Sequence, residues 1–309
     1  MNKVLITGGA GNIGSSLANR LVQNSNNYVV IVDNLLTGDI KKLPSIEFTN
    51  WRFIKGDVNN FKDISSIMLA NHFDYVFHYA AVVGVQRTQN HPKMVLDDIE
   101  GIKNVLDLCK NTSVKRVFFS SSSEVYGEPV EIPQFEDTTP LNSKLPYAIV
   151  KNVGEAFFKS YHQEFGLDYT IFRFFNTYGP RQSTDFVISK FLHLALNNQD
   201  ITIYGDGSQS RTFCYIDDNL DTIEKILVDS LCLNEVINIG NDVEFTILEL
   251  AQVIIKQVNS KSNIIYLPPL KDGDMTRRKP DLSKMKSILG RELISLEDGI
   301  NKTLENKYF

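Results

Sequence analysis

Few residues in this chain could make a covalent staple or a metal cage. It has three cysteines, Cys109, Cys214 and Cys232, which are far apart and form no CxxC pair. That excludes a disulfide framework and a structural zinc, and it fits reduced thiols in a cytoplasmic protein. The five histidines lack metal-ligand spacing, so no metal is expected. No apolar run approaches the roughly 18 residues that span a bilayer. Val4-Leu5-Ile6 runs straight into Thr7-Gly8-Gly9, too soon for a signal-peptide core. The expectation is a soluble, cytoplasmic chain with no membrane contact. Positive charge is short as well. Against 37 Asp and Glu stand 32 Lys and Arg, a net charge of −5. The basic clusters are only Lys41-Lys42 and Arg277-Arg278-Lys279. Nucleic acid needs a denser positive face, so none is expected as a partner.

What is present is a globular composition, with 42% hydrophobic and 22% charged residues among 309. At roughly 150 residues per domain that length suggests two lobes. The first half alternates short β-branched runs with helical spacing. Strand-like runs lie at Val4 to Ile6, Tyr28 to Val32, Phe53-Ile54, Tyr75 to Phe77, Val117 to Phe119 and Tyr169 to Phe175. Helical spacing lies at Ile13 to Leu21, Ile64 to Met68, Val95 to Leu108 and Tyr147 to Phe165. This rhythm predicts an α/β fold: a Rossmann-like, doubly wound parallel sheet covered by helices on both faces. After Gly179-Pro180 the rhythm breaks. A helix at Phe186 to Leu196, a strand at Ile201 to Tyr204, a turn at Gly205-Asp206-Gly207 and a helix at Thr246 to Val258 suggest a smaller C-terminal substrate-binding lobe. The expected division is 1–178 against 179–309, with a segment near 210–240 returning to the first lobe.

Gly8-x-x-Gly11-x-x-Gly14 falls between the first strand and the first helix. Gly8 permits a tight turn, Gly11 lets a pyrophosphate approach the backbone, and Gly14 lets helix pack on strand. The helix N-terminus then offers free N–H groups to phosphate. Asp33 follows Gly14 by 19 residues, at the end of the second strand. It can accept from ribose hydroxyls and would repel a 2′-phosphate, so NAD is expected over NADP. Asp33 also reads as a turn cap beside Asn34. Gly56-Asp57-Val58 ends the third strand, where a side chain can reach the adenine or simply close a turn.

Tyr147 and Lys151 stand four apart on a helix and so share a face. A lysine beside a tyrosine stabilises phenolate, and such a tyrosine can take a proton from a hydroxyl as hydride leaves the same carbon. Ser120 to Ser123, at the end of the preceding strand, can supply a hydroxyl for the reacting oxygen; it also reads as a flexible turn. His78 reads as a buried, hydrogen-bonded histidine rather than a base.

Together these residues resemble the extended short-chain dehydrogenase/reductase family, in its nucleotide-sugar epimerase/dehydratase branch. The likeness runs through residues 7–14, Asp33-Asn34, His78-Tyr79-Ala80-Ala81, residues 120–127, Pro146-Tyr147 with Lys151, Arg173-Phe174-Phe175-Asn176, Gly179-Pro180-Arg181 and residues 204–207 with Arg211. The resemblance implies Ser122, Tyr147 and Lys151 as a catalytic triad. It implies an NAD site that adds Asn12, Ile13, Asn34, Asp57, Val58, Tyr79, Ala80, Ala81, Ser120, Tyr147, Lys151 and Phe174 to the glycines and Asp33. A nucleotide-diphosphate sugar would meet Ser122, Ser123, Glu124, Asn176, Arg181, Tyr204, Arg211 and one of Arg277 or Arg278, with Arg278 favoured. Guanidinium groups suit phosphate oxygens. Glu124 reads equally as a strand-end acid. The family commonly dimerises through two long helices, here Val95 to Leu108 and Tyr147 to Phe165; Phe157, Phe158 and Tyr161 fit such a face or the core. A homodimer is expected.

The shared first step implied by the resemblance passes the proton of the sugar C4 hydroxyl to Tyr147 and the C4 hydride to NAD. A 4,6-dehydratase resembles Thr-Asp-Glu-Val-Tyr-Gly where this chain has Ser122-Ser123-Glu124-Val125-Tyr126-Gly127. Ser123 therefore replaces the acid that protonates the C6 hydroxyl. A UDP-glucuronate decarboxylase looks like Ser-Glu-Val-Tyr-Gly, which matches, as does Arg278-Lys279-Pro280-Asp281; its helix, however, usually begins Tyr-Asp-Glu-Gly-Lys. Here Tyr147-Ala148-Ile149-Val150-Lys151 is closer to epimerases. The expectation is a 4-epimerase. The alternatives are a 4-dehydrogenase releasing the keto sugar, then a decarboxylase or dehydratase, and outside enzymes an NAD-binding sensor or scaffold. Two departures stand out. Asn12 replaces an aromatic residue, and Asp98 replaces an Asn three residues before Gly101.

Overall fold

The computed structural model describes residues 1–269, 277–306 and 308–309. In chain order the first elements are β1 (Asn2–Thr7), α1 (Asn12–Leu21), β2 (Asn27–Asp33), β3 (Trp51–Lys55), α2 (Phe61–Asn71), β4 (Tyr75–His78) and α3 (Val85–Asn90). Then come α4 (Pro92–Asn111), β5 (Arg116–Ser122), α5 (Pro146–Phe165), β6 (Tyr169–Phe174), β7 (Thr177–Tyr178), α6 (Val187–Leu196) and β8 (Ile201–Tyr204). The chain continues with β9 (Ser210–Thr212), β10 (Cys214–Tyr215), α7 (Ile216–Val228), β11 (Glu235–Ile239) and β12 (Glu244–Thr246). It ends with α8 (Ile247–Gln257), β13 (Ile264–Leu267), α9 (Ser283–Leu289) and α10 (Leu296–Leu304).

Seven strands form one sheet in the order β11-β6-β5-β4-β1-β2-β3. β1 runs parallel to β2 and β4, β2 to β3, and β4 to β5. This is the expected doubly wound α/β topology. Strand order reverses at β1, so the carboxyl ends of β1 and β4 flank the crevice where such sheets bind ligands. Phe118 and Phe119 are neighbours on β5 and therefore point to opposite faces. Phe118 stacks on Phe77 and Phe172, with ring centroids 4.3 and 5.9 Å away. On the other face Phe119 stacks on Phe158 of α5 at 4.8 Å. α5 opens on Pro146, whose missing N–H costs nothing there, and stops at Gly166 with φ +69°, a left-handed cap that suits glycine.

Two departures from the sequence reading have clear causes. β5 does not end at Phe119: it continues buried through Ser122. The serines can stay in the strand because their hydroxyls find partners. Ser120 Oγ donates to the His78 carbonyl at 3.4 Å and Ser121 Oγ to Glu155 at 2.6 Å. The compact units are also less contiguous than 1–178 and 179–309 with a return near 210–240. One comprises 1–125, 143–173 and 224–237; the other 126–142, 174–223 and 238–309. Residues 126–142 join the second unit through Gln134, whose N–H and C=O pair with Lys279 and Asp281. Residues 224–237 join the first through Arg116, which donates to the carbonyls of Ile226 and Cys232, and through β11 in the sheet. The second unit carries three two-stranded sheets: β7 with β10, β9 with β12, and β8 with β13.

Candidate functional site

The turn between β1 and α1 is built by its glycines. Gly8 has φ +67°, and a Cβ there would lie 2.6 Å from the Ala80 nitrogen. A Cβ on Gly14 would collide with the Gly8 carbonyl oxygen, so this glycine sets the helix against the turn. Gly11 differs: a Cβ there would meet only the Gly8 oxygen, at 3.2 Å. The space above Gly11 is open to a ligand. Gly11 is also the N-cap of α1 and offers no side chain, so the first-turn N–H groups have no side-chain cap. Asn12 Oδ1 is buried without a hydrogen-bond partner. Uncapped N–H donors and open space over a helix N-terminus fit a pyrophosphate.

Asp33 ends β2 almost fully buried. Its two oxygens accept from Ala10 N at 3.0 Å and Leu35 N at 2.8 Å. It therefore ties the glycine turn to β2, and a carboxylate with about four acceptor positions keeps room for ribose hydroxyls. Asn34 Nδ2 donates to Asp57 at 3.1 Å, while Val58 is buried. Thr7 and His78 are register partners across β1 and β4, and Thr7 Oγ1 lies 2.9 Å from His78 Nδ1. The same hydroxyl accepts from Tyr79 N and Ala80 N, fixing the loop after β4 that continues to Ala81. Ile13 is half-buried and Phe174 buried.

Ser122, Tyr147 and Lys151 all belong to the first unit. Ser122 ends β5, and its Oγ accepts from Glu124 N at 3.2 Å. Tyr147 sits in the first turn of α5, half-buried. Lys151, one turn on, is 3% exposed. Its Nζ donates to Ser120 Oγ at 3.3 Å and lies 5.6 Å from the Tyr147 ring centroid. Burial lowers the Lys151 pKa to about 8, opposed by the charge of Asp98. Burial, aided by Lys151, lowers the His78 pKa to about 3. A neutral His78 bonded to Thr7 is a structural histidine, as its sequence context suggested. Ser123 is buried and Glu124 half-buried in the turn that follows β5.

The remaining candidates lie in the second unit. Asn176 holds φ +29°, and its amide donates to the Thr212 carbonyl at 3.0 Å. That ties it to β9, which carries the buried Arg211. Of the two adjacent arginines, Arg278 is buried, whereas Arg277 is exposed and pairs with Glu244 at 3.0 Å. Tyr204 is exposed at the end of β8, on a different small sheet from Arg211. The Arg181 guanidinium stacks 3.9 Å over the Tyr308 ring.

Sequence reasoning missed Glu155 as a member of this constellation. It follows Lys151 by four residues, continuing the face that carries Tyr147, so the signal was there. Its carboxylate accepts from Arg173 Nε at 2.9 Å, from Arg173 Nη2 at 2.7 Å and from Ser121. Phe158 belongs to the core against Phe119 rather than to an outer face.

The sheet order, the glycine turn and the acid at the end of β2 define a dinucleotide-binding protein of the Rossmann type. The model of the NAD dependent epimerase/dehydratase family matches residues 4–240. The chain belongs to that family and is an NAD-dependent enzyme of it. A Methanocaldococcus jannaschii relative with a provisional UDP-glucose 4-epimerase name is 34% identical over 311 residues, covering 97% of each chain. UDP-glucuronic acid decarboxylase 3 of Arabidopsis thaliana is also 34% identical, over 96% of this chain and 86% of its own length. Among solved structures, UDP-glucose 4-epimerase of Thermotoga maritima with UDP-glucose superposes with a TM-score of 0.90 at 31% identity, covering 98% and 97% of the two chains. No helix among the described residues is long and apolar enough to cross a membrane.

Proposed function

We propose that this chain is a nucleotide-sugar 4-epimerase that works through a 4-keto sugar. The observation that carries the reading is the Tyr147–Lys151 pair on α5, with Ser122 at the adjoining strand end. Tyr147 takes the proton of the sugar C4 hydroxyl, and the nearby Lys151 ammonium stabilises the phenolate that does so. Ser122 Oγ donates a hydrogen bond to the C4 oxygen and orients it. When bound, NAD supplies the hydride acceptor and donor. A 4-keto sugar rotated in the pocket would offer its other face to that hydride, and Tyr147 would return the proton to the C4 oxygen. Asp33 favours the cofactor without a 2′-phosphate. The glycine turn, Asn12, Ile13, Asn34, Asp57, Val58, Tyr79 to Ala81, Ser120 and Phe174 complete its site.

Asn176, Arg211 and Arg278 hold the diphosphate in this reading, and Ser123, Glu124, Arg181 and Tyr204 complete the substrate contacts. The buried state of both arginines supports their part, since a solvent-shielded guanidinium gains most from an anionic partner. Ser123 supports epimerisation over dehydration, because a hydroxyl is a poor proton donor to a leaving C6 hydroxyl. A cytoplasmic homodimer through α4 and α5 belongs to the same reading; Leu96, Ile149 and Phe165 stay exposed on those helices. Decarboxylation is the second reading, favoured by the Ser-Glu-Val-Tyr-Gly segment and by the decarboxylase-named relative.

The test is mass spectrometry after chromatography of purified protein incubated with NAD and a panel of UDP-, GDP- and dTDP-sugars. A new peak of unchanged mass is the expected result. Loss of two hydrogens would replace epimerase by 4-dehydrogenase, loss of carbon dioxide by decarboxylase, and loss of water by dehydratase. No turnover and no copurifying NAD(H) would sink the proposal and leave a sensor or scaffold.

A further inference from the structure

Asp98 lies on α4 with 8% of its surface exposed. Its Oδ2 accepts from Val82 N at 2.7 Å. Val82 follows the Tyr79-Ala80-Ala81 segment after β4. Asp98 Oδ1 accepts from Asn59 Nδ2 at 3.2 Å. Asn59 follows Asp57-Val58 after β3, and its own N–H is held by Asp57 Oδ1 at 2.9 Å. One side chain therefore ties together two loops that both carry candidate cofactor residues. Each carboxylate oxygen faces an N–H donor, which the acceptor-only, ionised form satisfies at both ends.

A buried carboxylate needs a cation. Burial pushes the Asp98 pKa up, and Asp57 adds to that; the bonds from Val82 N and Asn59 act against it, as does the charge of Lys151 on α5, which packs against α4. From the other side, Asp98 is the charged group that acts on Lys151. The other neighbours of that ammonium do not balance it. His78 on β4 is neutral, Ser120 on β5 is a hydroxyl, and Phe119 and Tyr147 present rings. The Glu155 carboxylate, one turn further along α5, is taken up by Arg173 and Ser121.

We propose that Asp98 is a positioning residue: its charge keeps the buried Lys151 an ammonium, and its two oxygens pin the loops after β3 and β4. It touches neither proton nor hydride and acts on Tyr147 through Lys151. The proposal rests on the pairing of Tyr147 with Lys151 given above. It goes beyond that pairing by naming what sustains the lysine charge.

Asp98→Asn isolates the charge. The new amide keeps the size of the carboxylate, and its oxygen can still accept from Val82 N. Asn59 Oδ1 is buried with no partner, so turning the Asn59 amide over lets it accept from the new NH2. The folded protein is titrated by NMR on carbon-13-labelled lysine side chains, with the Lys151 signal assigned by its loss in Lys151→Met. The expected result is a Lys151 midpoint lower by about one pH unit, the scale for losing one partly screened charge. This readout needs no substrate, so a failed epimerase reading leaves it intact. In the C4 oxidation assay, the alkaline limb of kcat/KM should move down by the same amount with NAD affinity nearly unchanged. Asp98→Ala also loses the loop ties and should weaken NAD binding as well. An unmoved Lys151 midpoint in Asp98→Asn overturns the proposal. So does an activity loss equal at every pH in both variants, which would mark Asp98 as a packing residue alone.

Discussion

Glu155 and Arg173 offer the sharpest stability test. Their side chains are each 2% exposed, and the guanidinium grips the carboxylate through two N–H groups at 2.9 and 2.7 Å. Glu155→Gln keeps the shape, removes the charge and turns one acceptor into a donor that faces Arg173. A buried guanidinium left without its anion cannot shed its proton, so the loss falls on folding. Breaking a buried pair from one side costs about 3–5 kcal/mol. For a chain of this size that lowers Tm by on the order of 10 °C. Ser121→Ala is the control: it removes one hydroxyl bond to the same carboxylate, worth about 1 kcal/mol, and leaves the ion pair whole. Replacing both partners together by Leu and Met should recover most of the loss, since an apolar pair of similar volume leaves no charge stranded. Urea unfolding followed by circular dichroism measures all four proteins. A Glu155→Gln loss below about 1 kcal/mol, or a double variant as unstable as the single one, would refute the reasoning.

Three further outcomes follow from the same site. The pKa of His78 is about 3 in the fold against an ordinary 6.5, so below pH 6.5 the unfolded chain binds a proton that the fold refuses. Its contribution to stability is present above pH 6.5 and is lost as pH falls toward 3; unfolding free energies across that range should fall less steeply in His78→Asn. The pKa of Lys151 is about 8 in the fold against 10.5, so stability rises with pH between those values, and the ammonium burdens the fold at pH 7. Lys151→Met should abolish turnover and remove that rise with pH; an unchanged slope of unfolding free energy between pH 8 and 10.5 would contradict the burial argument. Phe165 is 52% exposed at the end of α5, so Phe165→Glu should shift a dimer to monomer in light scattering at unchanged circular dichroism.

What the sequence made legible was local. The β1–α1 turn could be read because glycine spacing encodes backbone conformation, and the structure shows the collisions that Gly8 and Gly14 avoid. The long helices and the inner strands could be read because their periods run for several turns or residues. The partners of single polar side chains could not. Arg116 looks like any strand-end arginine, yet its bonds to residues 226 and 232 bring a distant segment into the first unit. Strands of two or three residues, such as β7, β9, β10 and β12, have no period to detect. Their existence depends on which neighbour they pair with. Asp98 was visible as a departure from the family pattern, but its link to Lys151 required α4 and α5 to be packed side by side.

Overall identity cannot choose between the proposed reactions, because relatives with both names match at the same level. The chemistry of the keto sugar can. Once C4 is a ketone, a carboxyl group on C5 makes the sugar a β-keto acid, and that acid loses carbon dioxide without a further catalytic group. A sugar with a hydroxymethyl group at C5 has no such exit. It can lose water only if an acid protonates the C6 oxygen, and the buried residue at that point is Ser123. The same Tyr147, Lys151 and Ser122 would thus return an epimer from a UDP-hexose and a pentose from a UDP-glucuronate, if both were accepted. What separates epimerase from decarboxylase is then admission of the carboxylate, a matter of kcat/KM and not of the triad. Competition between UDP-glucose and UDP-glucuronate in one vessel measures it directly. A clear preference for the neutral sugar, with the epimer as sole product, is the expected result. Preferential loss of carbon dioxide would reassign the enzyme while leaving every role given to the triad in place.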